Sequence, residues 1–148
     1  MKYESLDEGL ITAWVRLTST LKNSRITKGM NYNESIVMLF AYHRYLEDGE
    51  GLVAFAEIVQ ETKMLKSLVN RTIDNLVKKG MLEKLDGTDK RTVFIRPVKG
   101  NLDEYLQVHA QSLQLARAMR DAIGEEDART LIRISERISE IDPLSVKE

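Results

Sequence analysis

The sequence predicts a mainly α-helical chain that carries one small β-hairpin, an α+β architecture. Three observations support this fold class. Apolar residues recur at spacings of three and four over most of the chain, alternation of apolar and polar residues is confined to 81–96, and 148 residues is the length of about one domain. With 43% hydrophobic and 30% charged residues, the composition is that of a soluble globular protein.

The first two predicted helices each begin at a polar capping pattern. Residues 5–8 have the S-x-x-E form of a capping box, and the amphipathic helix that follows is expected to end near Arg25. Residues 31–34 place an N-cap side chain before a glutamate in the same way. Because 36–46 is almost continuously apolar, we expect this second helix to be buried on most sides. Gly49 and Gly51 mark a break.

Two shorter helices are predicted next, from Val53 to about Thr62 and from Leu65 to Lys79. Apolar residues of the second lie at i, i+3, i+4, i+7, i+8, i+11 and i+12, which places them on one face. The opposite face presents Lys66, Ser67, Asn70, Arg71, Asp74 and Lys78. Gly80 follows as the expected C-terminal glycine of this helix.

The remaining elements are a hairpin and two helices. Strands are predicted at 81–85 and 92–96, separated by the charged, turn-forming residues 86–91, and Pro97 closes the hairpin. A long helix over 102–122 is broken by Gly124, and a last helix over 125–141 ends before Pro143.

Charge is strongly segregated although the net charge is only −1. Residues 62–99 contain ten Lys and Arg against four Asp and Glu, whereas the rest of the chain has twelve basic and nineteen acidic residues. A basic middle between acidic flanks indicates one anion-binding surface on a body that otherwise repels anions.

The order helix, short helix, helix with an exposed polar face and hairpin is typical of a winged helix-turn-helix. The major groove of DNA admits one α-helix, and Asn and Arg side chains can read adenine and guanine there. Ser67, Asn70 and Arg71 lie within one turn and are the predicted base contacts. Lys63 and Lys66 are expected at the start of the helix as phosphate contacts. Lys90 and Arg91 at the hairpin tip would reach a neighbouring minor groove or the backbone.

Three segments resemble the MarR family of bacterial transcriptional regulators. The run from Leu65 to Lys84 is similar to the recognition helix and first wing strand of that family, 89–95 is similar to its D-x-R wing motif, and 31–38 resembles the start of its second core helix. By this resemblance the wing arginine is Arg91 and its partner aspartate is Asp89. We expect the aspartate to pair with the arginine side chain and aim it outward.

The resemblance also implies an organisation for the single chain 1–148. Residues 30–99 would form a winged DNA-binding lobe, and 1–29 together with 100–148 would form the dimerisation helices of a homodimer. Such a dimer would bind a pseudo-palindromic operator, usually as a repressor, and release it when a small, often aromatic effector binds. The remaining alternatives are a winged-helix protein-interaction module and a DNA binder without an effector.

The candidate effector pocket consists of side chains that tolerate aromatic ligands, and the competing interpretation is that each belongs to the core. The candidates are Trp14, Leu17, Met38, Tyr42 and Tyr45.

Other classes of protein are disfavoured by what the sequence lacks. Cysteine is absent, and His43 and His109 lie on separate helices, where we expect buried or interfacial histidines. There is no glycine-rich phosphate loop, so we expect no enzyme, no cofactor and no metal site. No apolar run approaches the roughly 18 residues of a membrane span. The acidic, polar N-terminal sequence has no signal-peptide pattern, so we expect a cytoplasmic protein.

Overall fold

The computed structural model describes residues 2–23, 29–89 and 91–142. The chain divides into two compact units, Met1–His109 and Ala110–Glu148. The helices are α1 (Leu6–Asn23), α2 (Tyr32–Asp48), α3 (Phe55–Thr62), α4 (Lys66–Lys78), α5 (Leu102–Ile123) and α6 (Glu125–Ser139). The strands are β1 (Val53–Ala54), β2 (Leu82–Asp86) and β3 (Val93–Pro97), and a short 3₁₀ turn covers Lys99–Asn101. The predicted α+β class with a hairpin wing is confirmed.

The capping pattern at the start of α2 is confirmed in both directions. The Asn31 side chain accepts a hydrogen bond from the backbone N–H of Glu34 at 2.8 Å, and the Glu34 carboxylate accepts one from the N–H of Asn31 at 3.0 Å. At α1, the Ser5 hydroxyl accepts from the N–H of Glu8. The predicted end of α1 near Arg25 lies outside the described residues.

The prediction that α2 is buried on most sides is wrong for its second half. Val37, Met38 and Ala41 are buried, but Leu46 is exposed. The partners that cover α2 come from α3, α4 and β3. These elements cover a stripe of the helix, so an apolar residue outside that stripe faces solvent.

The segment that begins at Val53 starts as a strand and not as a helix. Val53 and Ala54 form β1, which pairs antiparallel with Ile95 and Phe94 of β3. The helix begins only at Phe55. The first two residues adopt extended geometry because their backbone groups find partners in a strand about forty positions later, which no local pattern reveals.

The hairpin is confirmed, with each strand one residue later than predicted. Strands β2 and β3 pair antiparallel, with Leu82 opposite Pro97 and Asp86 opposite Val93. The sheet order is β1-β3-β2. Pro97 is therefore the last residue of β3 and not a residue that follows it.

The core of the first unit lies where α2, α3, α4 and the sheet meet. Its members include Met38, Ile58, Ile73, Leu76 and Ile95, all buried. The chain leaves α4 through a Schellman motif, in which the N–H of Met81 bonds the carbonyl of Leu76 and the N–H of Gly80 bonds that of Val77. Gly80 has a φ of 74°, which confirms the predicted C-terminal glycine.

The second unit contains the end of α5 and all of α6. Gly124, with a φ of 88°, separates the two helices as predicted. The first turn of α6 carries three acidic residues, which favour the positive end of the helix dipole. Helix α6 ends at Ser139, two residues earlier than predicted, and Pro143 lies outside the described residues. No residue of α6 is buried.

Candidate nucleic-acid interface

Helices α3 and α4 are joined by a three-residue turn over 63–65, the length typical of a helix-turn-helix. The Thr62 hydroxyl stabilises the turn, because it donates to the carbonyl of Ile58 at 2.7 Å and accepts from the N–H of Met64 at 3.3 Å. Lys63 adopts a left-handed conformation with a φ of 56° and caps the C-terminus of α3. It therefore precedes α4 instead of lying in its first turn.

Helix α4 presents its polar face to solvent and its apolar face to the core. The side chains of Val69, Thr72, Ile73 and Leu76 are buried. On the other face, four of the predicted DNA contacts are exposed: Lys66, Ser67, Asn70 and Arg71. No side chain caps the N-terminus of α4, so its first N–H groups can meet a phosphate beside the Lys66 ammonium.

Two ion pairs hold the wing in place, and the sequence analysis did not anticipate either. The Lys84 ammonium in β2 bonds the carboxylate of Asp74 on α4. Glu83 and Arg96 stand directly opposite each other in β2 and β3, and their side chains pair. The Glu83 carboxylate raises the pKa of Arg96. The first pair ties the wing to the polar face of α4, so the two candidate DNA-contacting elements are braced against each other.

The expected side-chain pair between Asp89 and Arg91 is wrong. The Asp89 carboxylate instead accepts hydrogen bonds from the backbone N–H of Arg91 at 3.2 Å and of Thr92 at 3.0 Å, and from the Thr92 hydroxyl at 3.1 Å. These bonds, chiefly those from Thr92, hold the pKa of Asp89 below its usual value. An aspartate followed by free N–H groups forms such a turn more readily than an exposed ion pair, which gains little in water.

The wing tip therefore presents an unbraced arginine. Within the described ranges, the exposed guanidinium of Arg91 forms no ion pair. Its position is set through the backbone by Asp89. The predicted contact Lys90 lies outside the described residues.

The five candidate pocket residues differ widely in exposure. On α1, Trp14 is 64% exposed and Leu17 is 41% exposed, whereas Met38 is 1% exposed and belongs to the core. Tyr42 and Tyr45 are half-buried. The structure therefore supports the core interpretation for Met38, whereas the two α1 side chains are exposed in this chain.

Tyr42 belongs to an aromatic cluster that the sequence analysis missed. Its ring lies 5.3 Å from that of Tyr105 and 5.7 Å from that of His109, and the latter two rings stack at 5.7 Å. Burial raises the pKa of Tyr105, which is 2% exposed. Tyr105 and His109 are four residues apart on α5, so their shared helix face was detectable in the sequence.

The two histidines have different surroundings. His109 is half-buried in the aromatic cluster, whereas His43 is exposed in the single chain, so that of the two expected settings only an interfacial one is left for His43. His43 lines a groove of about 230 Å³ between α2 and α3, with the Arg44–Glu57 ion pair on its wall. Among the described residues, no three metal-ligating side chains form a group that could hold an ion. None of the helices searched in that part of the chain could cross a membrane.

Comparison with solved structures shows the same fold in several regulators. A MarR-family transcriptional regulator from Rhodococcus sp. RHA1 superposes with a TM-score of 0.78 at 12% identity, over 93% of this chain and 97% of that one. BpsR from Bordetella bronchiseptica, whose DNA binding is regulated by 6-hydroxynicotinic acid, gives 0.75 at 12% identity, over 96% and 100%. A variant of MarR from E. coli in complex with operator DNA gives 0.69 at 15% identity, over 91% and 99%.

Sequence comparison locates the family signal in the winged lobe. No curated protein sequence is significantly similar to the chain. Residues 44–92, however, match the model of the MarR family. The matched segment contains α3, α4 and β2 and extends to Thr92, just before β3. The chain therefore has the winged helix-turn-helix fold of these regulators, and about a third of its length is similar to the MarR family.

Proposed function

We propose that the protein is a homodimer that reads a pseudo-palindromic operator, represses transcription there, and is released by a small aromatic effector. The observation that carries the proposal is the division of α4 into a buried apolar stripe and an exposed polar face. A helix anchored in this way can enter the major groove without losing its own packing.

The contacts divide into two kinds. Asn70 and Arg71 lie on the exposed face of α4 and suit base edges, since Asn can pair with adenine and Arg with guanine. Ser67 lies beside them. Lys66, together with Lys63 in the turn before it, is assigned to phosphates, which set the register of the helix without reading sequence.

The wing supplies a second contact. The tip joins strands β2 and β3, and Arg91 is exposed there. We assign Arg91 and Lys90 to the minor groove or the backbone beside the major groove that α4 enters. Asp89 acts on this contact only through the backbone of the tip.

The homodimer is supported by apolar faces that the chain leaves uncovered. Helix α1 exposes Leu10, Ile11 and Trp14, among others. In the second unit, α6 exposes Leu131, Ile132, Ile134 and Ile138. Patches of this kind on a globular protein mark interfaces, and a second copy related by a two-fold axis would give the two half-sites of a palindrome.

We assign binding of the effector to the aromatic side chains of the first unit. The half-buried Tyr42 and His109 rings pack against the buried Tyr105, and another aromatic ring could stack on the exposed part of either of them. BpsR, which has the same fold, is regulated by a hydroxylated aromatic acid. A ligand of that class is therefore the first to test on this chain.

The decisive experiment is selection of duplexes from a random-sequence DNA library by the purified protein, followed by fluorescence anisotropy on the selected duplex. We expect two inverted half-sites, and affinity that falls steeply with salt because bound phosphates release counterions. A library that yields no sequence would favour the protein-interaction module. Selected DNA that no hydroxylated aromatic acid releases would favour the DNA binder without an effector.

A further inference from the structure

The end of α4, where the chain turns into β2, forms side-chain hydrogen bonds with two distant parts of the first unit. The Lys79 ammonium donates to the carbonyl of Gly29 at 2.9 Å and to the carboxylate of Glu34 at 2.8 Å. The Asn101 side-chain amide donates to the carbonyl of Gly80 at 2.7 Å. Lys79 and Gly80 are consecutive, so both contacts act on the same turn of backbone.

The Glu34 carboxylate is paired on one oxygen only. Its side chain is almost fully buried, and Oε1 accepts from both Lys79 and the N–H of Asn31. The other oxygen, Oε2, is buried with no hydrogen-bond partner among the described residues. A buried carboxylate that is half satisfied costs free energy, and apolar residues often replace such pairs without loss of stability. Stability alone is therefore a weak reason for the Lys79–Glu34 contact.

The position of the Lys79 and Asn101 contacts in the chain explains them better than stability does. Gly29 lies in the segment that enters α2, and Asn101 immediately precedes α5. The C-terminal end of α4 is thus tied to the segments that enter and leave the winged lobe. Its N-terminal end has no side-chain cap. In addition to the buried stripe that packs α4 onto the core, these hydrogen bonds restrain the direction of α4 at its C-terminal end.

A small tilt of α4 at its C-terminal end produces a large displacement of the residues proposed to read bases. Arg71 precedes Lys79 by eight residues, which is about 12 Å along a helix axis at 1.5 Å per residue. A tilt of about 5° at Lys79 would move the Arg71 backbone by about 1 Å over that length. Hydrogen bonds to base edges lose most of their strength over such a displacement.

We propose that Lys79 and Asn101 are positioning residues for DNA recognition, which act through α4 to hold Asn70 and Arg71 against the base edges. This inference rests on the proposed sequence-specific binding. It assigns a role to two residues outside the polar face of α4 and outside the wing tip. It also gives a role to the contacts by which Lys79, unlike its neighbour Lys78, bonds Gly29 and Glu34.

The test compares Lys79→Met with Lys78→Met, two neighbouring lysines of which only the first contacts Gly29 and Glu34. For each variant, anisotropy gives the affinity for the duplex selected by the wild type and for a shuffled duplex. We expect Lys79→Met to lower the ratio of the two affinities about tenfold, the middle of the range for residues that act through a network. Lys78→Met should change both affinities alike, as loss of a phosphate contact would, and leave the ratio within about twofold.

Asn101→Ala provides a second, independent variant, with the same direction of change expected. Hydrogen exchange at the Met81 amide, which bonds the carbonyl of Leu76, should quicken in Lys79→Met and not in Lys78→Met. Wild-type ratios in both Lys79→Met and Asn101→Ala would overturn the inference, as would an equal loss in Lys78→Met. If Lys79→Met fails to fold, the ratio for Asn101→Ala decides. A wild-type protein that selects no sequence contradicts the proposed function itself, and this inference falls with it.

Discussion

Helices α4 and α6 are both strongly amphipathic, yet they use their apolar faces differently. Helix α4 buries Val69, Ile73 and Leu76 against the rest of the first unit. Helix α6 buries none of its residues and exposes Ile132 and Ile138. The same periodicity thus gives an apolar face that is buried in α4 and exposed in α6. In α4 the apolar face is buried, so the polar face faces solvent. In α6 the apolar face is exposed and can bind a partner.

The largest expected effect is loss of stability when the α4 core is truncated. Ile73→Ala leaves a cavity in a fully packed site and should lower the free energy of unfolding by about 2–5 kcal/mol. Thermal melting followed by circular dichroism measures this. The matched change Ser67→Ala on the exposed face of the same helix should stay within about 0.5 kcal/mol of wild type. A mild effect of Ile73→Ala would mean that α4 is not anchored by this stripe.

The next effect concerns the apolar face of α6. Ile138→Asp places a carboxylate in the proposed dimer interface and should weaken dimerisation by about 2 kcal/mol or more, roughly thirtyfold in Kd. Sedimentation velocity over a range of concentrations measures the dimer fraction. The control Arg133→Asp introduces the same group on the polar face and should leave the dimer intact. A monomeric wild type at micromolar concentration would remove the homodimer and with it the contrast between the two helices.

The polar face of α4 should separate into base and phosphate contacts. Arg71→Ala should cost about 1–3 kcal/mol of binding to the selected duplex, with little effect on shuffled DNA. Lys66→Ala should weaken both duplexes alike and reduce the salt dependence by about one counterion. Anisotropy at several salt concentrations gives both quantities. If neither variant changes affinity while the fold is retained, α4 is not the recognition helix.

The wing should contribute affinity without contributing stability. Because Arg91 forms no ion pair with the residues that the structure describes, Arg91→Ala should leave the melting temperature unchanged and weaken binding at least about tenfold, or about 1.4 kcal/mol. Asp89→Ala should weaken it less, since the arginine remains and only the hydrogen bonds to the backbone of the tip are lost. Titration of both variants against the selected duplex, with melting curves of the same samples, measures these changes. Wild-type affinity in a stable Arg91→Ala protein would leave the wing without a role.

The smallest effect is the pH dependence of the wing tip. The folded-state pKa of Asp89 lies below its ordinary value of 3.8, so its hydrogen bonds stabilise the turn fully above that value. They are lost only as the pH falls through the lowered pKa. The amide resonance of Thr92 should therefore stay constant from pH 7 to about pH 5 and shift at lower pH. A shift near neutral pH would show that another group holds the tip.

Much of the helical framework was predictable because its signals are local. The capping box of Asn31 and Glu34 and the glycines at 80 and 124 each specify a helix end from adjacent residues. The exposed face of α4 followed from periodicity alone. In the candidate site, the four DNA contacts expected on α4 are exposed. The partner expected for Arg91 is wrong because backbone donors compete for the Asp89 carboxylate.

By itself the sequence determined which residues form helices, where most of them end, and which side chains share a face, since these depend on neighbours within about four positions. The tertiary structure alone decided that Val53 begins a strand, that Lys84 braces Asp74, and that Lys79 reaches Glu34. Each of these contacts joins residues that are at least ten positions apart. Such contacts form because the fold brings distant segments side by side, and the fold, not the local pattern, determines which groups become neighbours.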